Sequence, residues 1–222
     1  MPRVPGVLAV ASVLLASLAF AQGVHPLSGR RYAQPMGVAG ADWLDRAERQ
    51  QEEDPQFALR LMKVAEGSTV ADIGAGSGYY TVRLARLVGP KGRVYANDLQ
   101  QGMLDLIRRR VERDRLTNVE LVLGTEDDPK LPPASVDLAL MVDVYHEVSQ
   151  PQTMLRRIRE ALKPGGRLVL LEYRGEDAWI PIRPEHKMTV AQAKLEVEAE
   201  GFQLTSVNSR LPWQHLLVFS LR

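Results

Sequence analysis

Three glycines at alternate positions follow a short apolar run in the stretch VADIGAGSGYYT, residues 70–81. A strand that turns into a helix at such a loop lies at the ligand-binding edge of an open α/β sheet, and glycines let the backbone approach a ligand that a Cβ would exclude. The dinucleotide fingerprint G-x-G-x-x-G fits imperfectly, because Gly74, Gly76 and Gly78 are followed by Tyr79 where the third glycine would stand. A phosphate-binding P-loop is excluded, because no G-K-[ST] follows. The stretch therefore predicts a nucleotide-like ligand without a triphosphate.

Two carboxylates at strand ends narrow the choice of ligand. Asp72 stands two residues before the first glycine, where it would repel a pyrophosphate and attract an ammonium group. Asp98 ends the next strand, where a carboxylate accepts hydrogen bonds from both hydroxyls of a ribose. A ribose joined to a cationic amino acid tail indicates S-adenosylmethionine. Each residue also has a structural interpretation, Asp72 as a cap of the following turn and Asp98 as a cap of the next helix.

Strand and helix patterns alternate after residue 68. The strands are near-continuous apolar runs such as VDLALMV, which are typical of parallel strands buried on both faces. The sequence therefore predicts a doubly wound, Rossmann-like α/β fold. Predicted strands cover residues 69–73, 92–97, 119–123, 136–142 and 166–173, and predicted helices cover 78–88, 101–114, 152–162 and 189–200. The two final segments, QLTSVNS and QHLLVFSLR, are close enough in sequence to form an antiparallel hairpin.

The bulk composition is that of one globular domain. The chain has 222 residues, of which 45% are hydrophobic and 25% charged, and this length suffices for a full core. A formal net charge of +1 gives no basic excess of the kind that would indicate a nucleic acid partner. The absence of cysteine excludes disulfides, thiolate metal sites and a cysteine nucleophile. The composition leaves the oligomeric state open.

The N-terminus has the pattern of an export signal. One arginine precedes an apolar run from Val7 to Phe20, and Ala19-Phe20-Ala21 fits the small-x-small cleavage pattern. We predict a signal peptide at residues 1–21, with a weak, uncleaved membrane anchor as the alternative. The mature protein is then expected to be exported or periplasmic, which conflicts with the cytosolic supply of S-adenosylmethionine. Residues 22–40 are interpreted as a linker, and residues 41–222 as the domain, with an N-terminal helical cap at about 42–63.

Four motifs in order make the chain resemble class I S-adenosylmethionine-dependent methyltransferases, especially the group of ubiquinone and menaquinone biosynthesis methyltransferases. They are DIGAGSG, VYANDLQQGML, LPPASVDLALMVDVYHEV and LRRIREALKPGGRLVLLEY. The resemblance covers roughly residues 42–221. It implies a seven-stranded sheet, mostly parallel with the last strand antiparallel, which agrees with the predicted hairpin.

The resemblance also implies which residues bind the cofactor. By position these are Asp72, Gly74, Gly76, Gly78, Asp98, Leu99, Met103, Glu126, Asp127 and Asp143. Leu99 and Met103 are expected to flank the adenine, and Asp143 to lie beside the methyl donor. The family usually has Gly-Asp after the third strand, but here Thr125 follows the glycine, so we favour Glu126 and Asp127 as partners of the adenine amine.

The acceptor side of the site is less well defined by the resemblance. Tyr145 and His146 are the catalytic candidates, and Tyr173, His186 and Trp43 are substrate-side candidates. A histidine has the pKa range of a general base at neutral pH, although His146 also fits a packing or hydrogen-bonding role. No metal site is predicted.

The sequence thus predicts a methyltransferase that acts on a small-molecule acceptor of undetermined identity. One alternative is a protein that binds S-adenosylmethionine without transferring the methyl group. The other is a nicotinamide-dependent oxidoreductase, which the imperfect glycine fingerprint disfavours. A membrane is expected as a partner only through an uncleaved N-terminal segment.

Overall fold

The structure is a computed structural model that describes residues 23–222. The predicted signal peptide lies outside the described residues. Eight strands and seven α-helices are present in the described part of the chain. The strands are β1 Thr69–Ile73, β2 Arg93–Asp98, β3 Val119–Leu123, β4 Val136–Val142, β5 Leu162–Arg174, β6 Lys187–Met188, β7 Phe202–Asn208 and β8 Gln214–Leu221. The helices are α1 Ala41–Leu44, α2 Arg49–Glu52, α3 Pro55–Met62, α4 Thr81–Val88, α5 Gln101–Arg113, α6 Pro151–Ala161 and α7 Val190–Ala199.

One sheet contains all eight strands, in the order β3-β2-β1-β4-β5-β8-β7, with β6 paired to β5 beside this path. Strands β1 to β5 pair in parallel, whereas β8 is antiparallel to both β5 and β7. The predicted doubly wound sheet with an antiparallel last strand is therefore confirmed. The two-residue strand β6 was not predicted, because two residues give no periodic signal.

The central strands are covered on both faces, as their apolar sequences require. Val70 of β1 and Leu140 of β4 are buried against one core, which α3 and α4 complete with residues such as Leu84. Ala71 and Met141, which alternate with them, face a second core beneath α6 and α7. The carboxyl ends of β1, β2, β4 and β5 consequently meet at one edge, where ligands bind in sheets of this kind.

Two helix boundaries differ from the predicted ones. The first part of the helical cap predicted at about 42–63 is divided into α1 and α2, because the chain turns at Asp45 and the Arg46 side chain donates to the Trp43 carbonyl at 3.0 Å. Helix α4 begins at Thr81 rather than at residue 78, since Gly78 has a φ of +82°, which a right-handed helix does not contain.

The segment before the cap is packed against the domain, so its description as a linker is corrected. Arg30 is buried, and its guanidinium Nε lies 2.9 Å from the Glu196 carboxylate of α7. The same guanidinium donates to the backbone carbonyls of Tyr145 and His146. The sequence did not predict this packing, because two residues 166 positions apart in the chain produce no local pattern.

No helix within residues 23–222 has both the length and the apolar character that a membrane span needs.

Replacing Arg30 with methionine should strongly destabilise the fold. The change leaves the Glu196 carboxylate buried without its cation, and breaking such a buried pair costs about 3–5 kcal/mol. The measurement is the free energy of unfolding in urea. Arg93→Met is the matched control, since Arg93 pairs with Glu120 at the exposed surface, and there we expect a much smaller loss than at Arg30. Equal losses in the two variants would contradict a structural role for Arg30.

Candidate functional site

The glycine loop after β1 forms a bare cradle at the ligand edge of the sheet. Gly74, Gly76 and Gly78 have φ angles of +69°, +54° and +82°, a region that side chains rarely adopt. A Cβ on Gly74 would lie 2.6 Å from the Val144 side chain, and one on Gly76 would lie 2.8 Å from Leu44. Both the conformation and the space therefore require glycine at these positions.

Asp98 fastens this loop to the next strand. Its carboxylate accepts hydrogen bonds from the Gly76 N–H and the Gln100 N–H, each at 2.9 Å. Burial raises the pKa of Asp98 above its usual range, although the two backbone donors lower it. Asp98 thus bonds the residue that precedes α5, whereas the N-cap of that helix is Gln100, which has no side-chain cap hydrogen bond. Each oxygen still has acceptor capacity for a ligand hydroxyl.

Asp72 is buried just below the loop, at the end of β1. Its Oδ2 accepts a hydrogen bond from the Thr81 hydroxyl at 2.6 Å, which ties the strand to the start of α4. Burial raises the pKa of Asp72 to about 6, and the nearby Asp98 carboxylate adds to the shift against the effect of Thr81. A cation arriving here would favour the ionised carboxylate.

Asp143 directly follows β4 in a strained conformation. Its φ is +52°, and its Oδ2 accepts from the Gln214 side chain at 2.7 Å. Its Oδ1 is buried and has no hydrogen-bond partner among residues 23–222. Burial raises the pKa of Asp143 well above its usual range, and the Glu53 and Glu172 carboxylates raise it further. An unpaired buried acceptor of this kind is available to a ligand donor.

The helical cap covers this edge through a buried ion pair. Arg49 and Glu53 are both buried, with the guanidinium Nε 2.8 Å and 2.9 Å from the carboxylate oxygens. The Tyr173 hydroxyl at the end of β5 donates to Glu53 at 3.1 Å, so this substrate-side candidate is tied to the cap. Trp43 is partly exposed, and the Arg46 guanidinium lies 3.6 Å from its ring centroid.

Tyr145, predicted to face the acceptor, does not do so. Its side chain is completely buried in the core beneath α6 and α7, and the Arg30 guanidinium lies 5.2 Å from its ring centroid. The catalytic interpretation of Tyr145 is therefore wrong. In the 3-10 turn Tyr145–Glu147, neighbouring side chains point in different directions, so Tyr145 enters the core while Glu147 faces the site.

His146, His186 and two glutamates form a cluster after β4 and β5. His146 is buried, with Nδ1 2.5 Å from the Glu172 carboxylate and Nε2 3.1 Å from Nδ1 of His186. The Glu147 carboxylate lies 3.9 Å from His146 Nε2 and 3.8 Å from His186 Nδ1. Both ring nitrogens of His146 are thus engaged, and the more exposed His186 is the imidazole nearer to solvent.

Burial and neighbouring charges together shift the pKa values of the ionisable groups in this cluster. Burial disfavours the charged form of His146, yet the Glu172 carboxylate raises its pKa above the ordinary value. Burial, followed by the neighbouring His146, lowers the pKa of His186. Burial also raises the pKa of Glu147 to about 7, against the effect of His146. Glu147 is not among the residues that the sequence analysis predicts for the site, although its position next to His146 is a visible signal.

Comparisons with known proteins bear on this site directly. Residues 70–166 match the family model described as a methyltransferase domain. A ubiquinone/menaquinone biosynthesis C-methyltransferase from Pseudomonas fluorescens is 35% identical over 124 residues, which are 53% of this chain and 46% of that protein. A demethylmenaquinone methyltransferase from Geobacillus is 31% identical over 114 residues, which are 51% of this chain and 49% of that protein. The chain thus spans about half the length of these relatives.

A solved structure extends the similarity over most of the chain. The crystal structure of an S-adenosylmethionine-dependent methyltransferase from Aquifex aeolicus has a TM-score of 0.80 at 28% identity, and covers 85% of this chain and 100% of that one. Residues 70–166 are thus a methyltransferase domain, in a fold shared with class I methyltransferases. The chain resembles the ubiquinone and menaquinone biosynthesis group, as the four motifs predicted.

The methyltransferase domain fits S-adenosylmethionine, the methyl donor of its class, on several observations. The three glycines hold the loop in a left-handed conformation, and the Asp72 and Asp98 carboxylates lie beside it. The Ser77 hydroxyl in the loop is buried without a partner in the described residues. The unpaired Asp143 oxygen is a second free acceptor at the same edge.

The predicted adenine contacts occupy different environments in the methyltransferase domain. Leu99 is half exposed at the start of the helical segment after β2, whereas Met103 is buried in the interior. Glu126 is exposed and accepts from the Ser149 hydroxyl at 3.1 Å, while Asp127 accepts from Thr125 at 2.7 Å. Leu99 is thus the apolar side chain that remains available for stacking, and both acids stay predictions.

Asp72 should give the stability of the methyltransferase a pH dependence of known sign. The unfolded chain releases this proton near pH 3.8, and the folded protein near pH 6. The stabilisation of the folded state that comes from protonated Asp72 is therefore fully present below pH 3.8 and is lost as the pH rises through 6. Relative to Asp72→Asn, which cannot ionise, the wild type should lose about 3 kcal/mol of unfolding free energy between about pH 4 and pH 7. Urea unfolding at several pH values measures this difference, and a constant difference would refute the raised pKa.

Proposed function

We propose that the protein transfers a methyl group from S-adenosylmethionine to a small-molecule acceptor. The observation that carries the proposal is the glycine cradle with Asp72 and Asp98 at its two sides, in a domain whose family consists of methyltransferases. The cofactor supplies a methyl group on a positively charged sulfur, which becomes a neutral thioether when the methyl leaves. An acceptor that carries a proton at the attacking atom must also lose that proton.

Each acid at the cradle has a distinct role in this proposal. Asp72 binds the ammonium of the methionine end, because it is the carboxylate beneath the loop and its ionised form needs a cation. Asp98 accepts hydrogen bonds from the ribose hydroxyls. Glu126 and Asp127 are the candidates for the adenine amine, and Asp143 orients the methyl donor through its free oxygen. Positioning of this kind accounts for much of the catalysis, since aligned reactants gain roughly 7–11 kcal/mol over free encounter.

The acceptor binds on the side of His186 and Glu147 in this proposal. These side chains are the partly exposed members of the cluster, whereas His146 and Glu172 are buried behind them. The names of the relatives make a ring carbon of a hydroquinone the first acceptor to test. Such a ring carries hydroxyl groups, so polar groups on the acceptor side are chemically appropriate.

The proposal is tested by isothermal titration with S-adenosylhomocysteine, and by transfer of a labelled methyl group from S-adenosylmethionine to a short-chain demethylmenaquinol. Binding together with transfer supports an enzyme. Binding without transfer to this acceptor or to any component of a cell lysate supports the non-catalytic alternative. Binding of NAD in place of S-adenosylhomocysteine would overturn the proposal.

Replacing Asp98 with asparagine should weaken the binding of S-adenosylhomocysteine by about 10- to 100-fold. The change removes a charged acceptor for the ribose, and hydrogen bonds to charged groups contribute about 1.5–3 kcal/mol. Asp105→Asn is the control, because Asp105 lies on the exposed face of α5 and bonds only to the Gln101 side chain in the described structure. An Asp98→Asn protein that is folded and binds as tightly as the control would refute the role of Asp98.

We further propose that residues 1–21 direct export and are cleaved after Ala21. The apolar run and the Ala19-Phe20-Ala21 pattern support the proposal. Cleavage there would leave the packed segment intact, because His25 and Arg30 are the first buried polar side chains of the described chain. Sequencing the N-terminus of the protein purified from its native host tests the proposal, and a mature chain that begins at Met1 in the cytosol would refute it.

A further inference from the structure

Three potential metal ligands converge on the acceptor side of the cradle. His146 Nε2 and His186 Nδ1 are 3.1 Å apart, and the Glu147 carboxylate oxygen is 3.9 Å and 3.8 Å from these two nitrogens. All three ligand atoms lie within 4.8 Å of one another. They come from two separate turns, one after β4 and the other before β6, so the convergence is produced by the fold and not by sequence proximity.

The spacing matches the geometry of a metal site. Two atoms that each lie about 2.0–2.1 Å from one ion are about 2.9 Å apart at a right angle and about 3.4 Å apart at the tetrahedral angle. The two imidazole nitrogens fall between these values. The Glu147 oxygen is roughly half an ångström too distant, a difference that rotation of its partly exposed carboxylate removes.

The histidine at the centre of the cluster is already oriented as a ligand. Glu172 is completely buried and accepts from His146 Nδ1 at 2.5 Å and from the Tyr145 backbone N–H at 2.9 Å. A metal-binding histidine characteristically donates its other ring N–H to a carboxylate, which fixes the ring and directs the free lone pair toward the ion. With Nδ1 held by Glu172, the lone pair of His146 is at Nε2, which faces His186 and Glu147.

The surroundings also favour a cation. Glu147, Glu172 and Asp143 bring three carboxyl groups to this corner of the site. The Arg30 guanidinium, which donates to the His146 carbonyl, is already paired with Glu196, and that of Arg49 is paired with Glu53. A divalent ion would offset the negative charge that these carboxyl groups carry when they are ionised.

We propose that His146, Glu147 and His186 bind a divalent transition-metal ion of the Zn²⁺ type, with Glu172 as the positioning residue. Two imidazoles and one carboxylate are a ligand set that suits Zn²⁺ and leaves at least one coordination position open. That position takes an anionic oxygen of the methyl acceptor, such as the oxygen of a phenol. This assignment of the acceptor oxygen rests on the proposed methyl transfer, whereas metal binding itself does not.

The test titrates Zn²⁺ into the full-length protein after treatment with a chelator, using calorimetry. We expect one equivalent to bind, with an affinity at least about 10- to 100-fold lower in His186→Gln and in Glu147→Gln. Both replaced side chains are partly exposed, so these variants should fold. Glu185→Gln is the matched control, since Glu185 is in the same turn as His186 but outside the cluster. It should bind Zn²⁺ like the wild type.

The outcomes separate this proposal from the proposed function. Binding of S-adenosylhomocysteine without Zn²⁺ binding, or with equal Zn²⁺ affinity in all the variants, overturns the metal site and leaves methyl transfer standing. Zn²⁺ binding that is lost in the two ligand variants, without binding of S-adenosylhomocysteine, supports the metal site and overturns the proposed function.

The open position is tested with Co²⁺ in place of Zn²⁺, because Co²⁺ reports its ligands by visible absorption. Addition of catechol, a phenolic probe, should change the spectrum of the Co²⁺-loaded wild type and of Glu185→Gln. A spectrum that catechol leaves unchanged would overturn the assignment of the open position to an acceptor oxygen.

Discussion

The buried carboxylate of Glu172 holds together the ends of two neighbouring strands, β4 and β5. Removing such a group from water costs several kcal/mol unless hydrogen bonds and a cationic partner compensate it. Here the compensation comes from one backbone N–H, that of Tyr145, and from the His146 ring. These two contacts fix the turn after β4. This turn places Val144 over Gly74 and inserts Tyr145 into the core. The glycine cradle and the histidine cluster are therefore held in position by the same turn.

The other acidic residues at this edge of the sheet share one electrostatic cost, the burial of a carboxyl group. Asp72, Asp98, Asp143 and Glu147 all have pKa values raised first by burial, which means that the folded chain gathers carboxyl groups where water cannot solvate their charges. The fold tolerates them through hydrogen bonds and through protonation. A ligand that carries positive charge would relieve the same strain, and the proposed cofactor has both an ammonium and a sulfonium. Part of the free energy of binding such a ligand would come from favouring the ionised form of these buried carboxyl groups.

The sequence predicted the sheet well because each central strand is a short apolar run with its own local signal. It also identified the glycine loop and both of its acids, since spacing alone restricts what such a loop binds. It did not predict that Tyr145 faces the core, because a 3-10 turn has no period that distinguishes inside from outside. Nor did it reveal that Arg30 reaches Glu196 and the His146 carbonyl, since contacts between distant segments depend on the finished fold. The sequence thus singled out residues that lie in a local pattern, and it did not reveal contacts between distant segments.

The short strand β6 shows how much the site depends on such long-range pairing. Its two residues pair with the end of β5 in the register Tyr173↔Lys187, so the residue before it, His186, is brought level with Glu172 and His146. The Lys187 ammonium donates to the carbonyls of Asp177 and Ile180, which closes the preceding loop on itself. A segment with no regular pattern thus receives a fixed position from two backbone pairs and one lysine. Because ligand groups must be held within fractions of an ångström, the pairing of β6 with β5 is what positions His186 in the cluster.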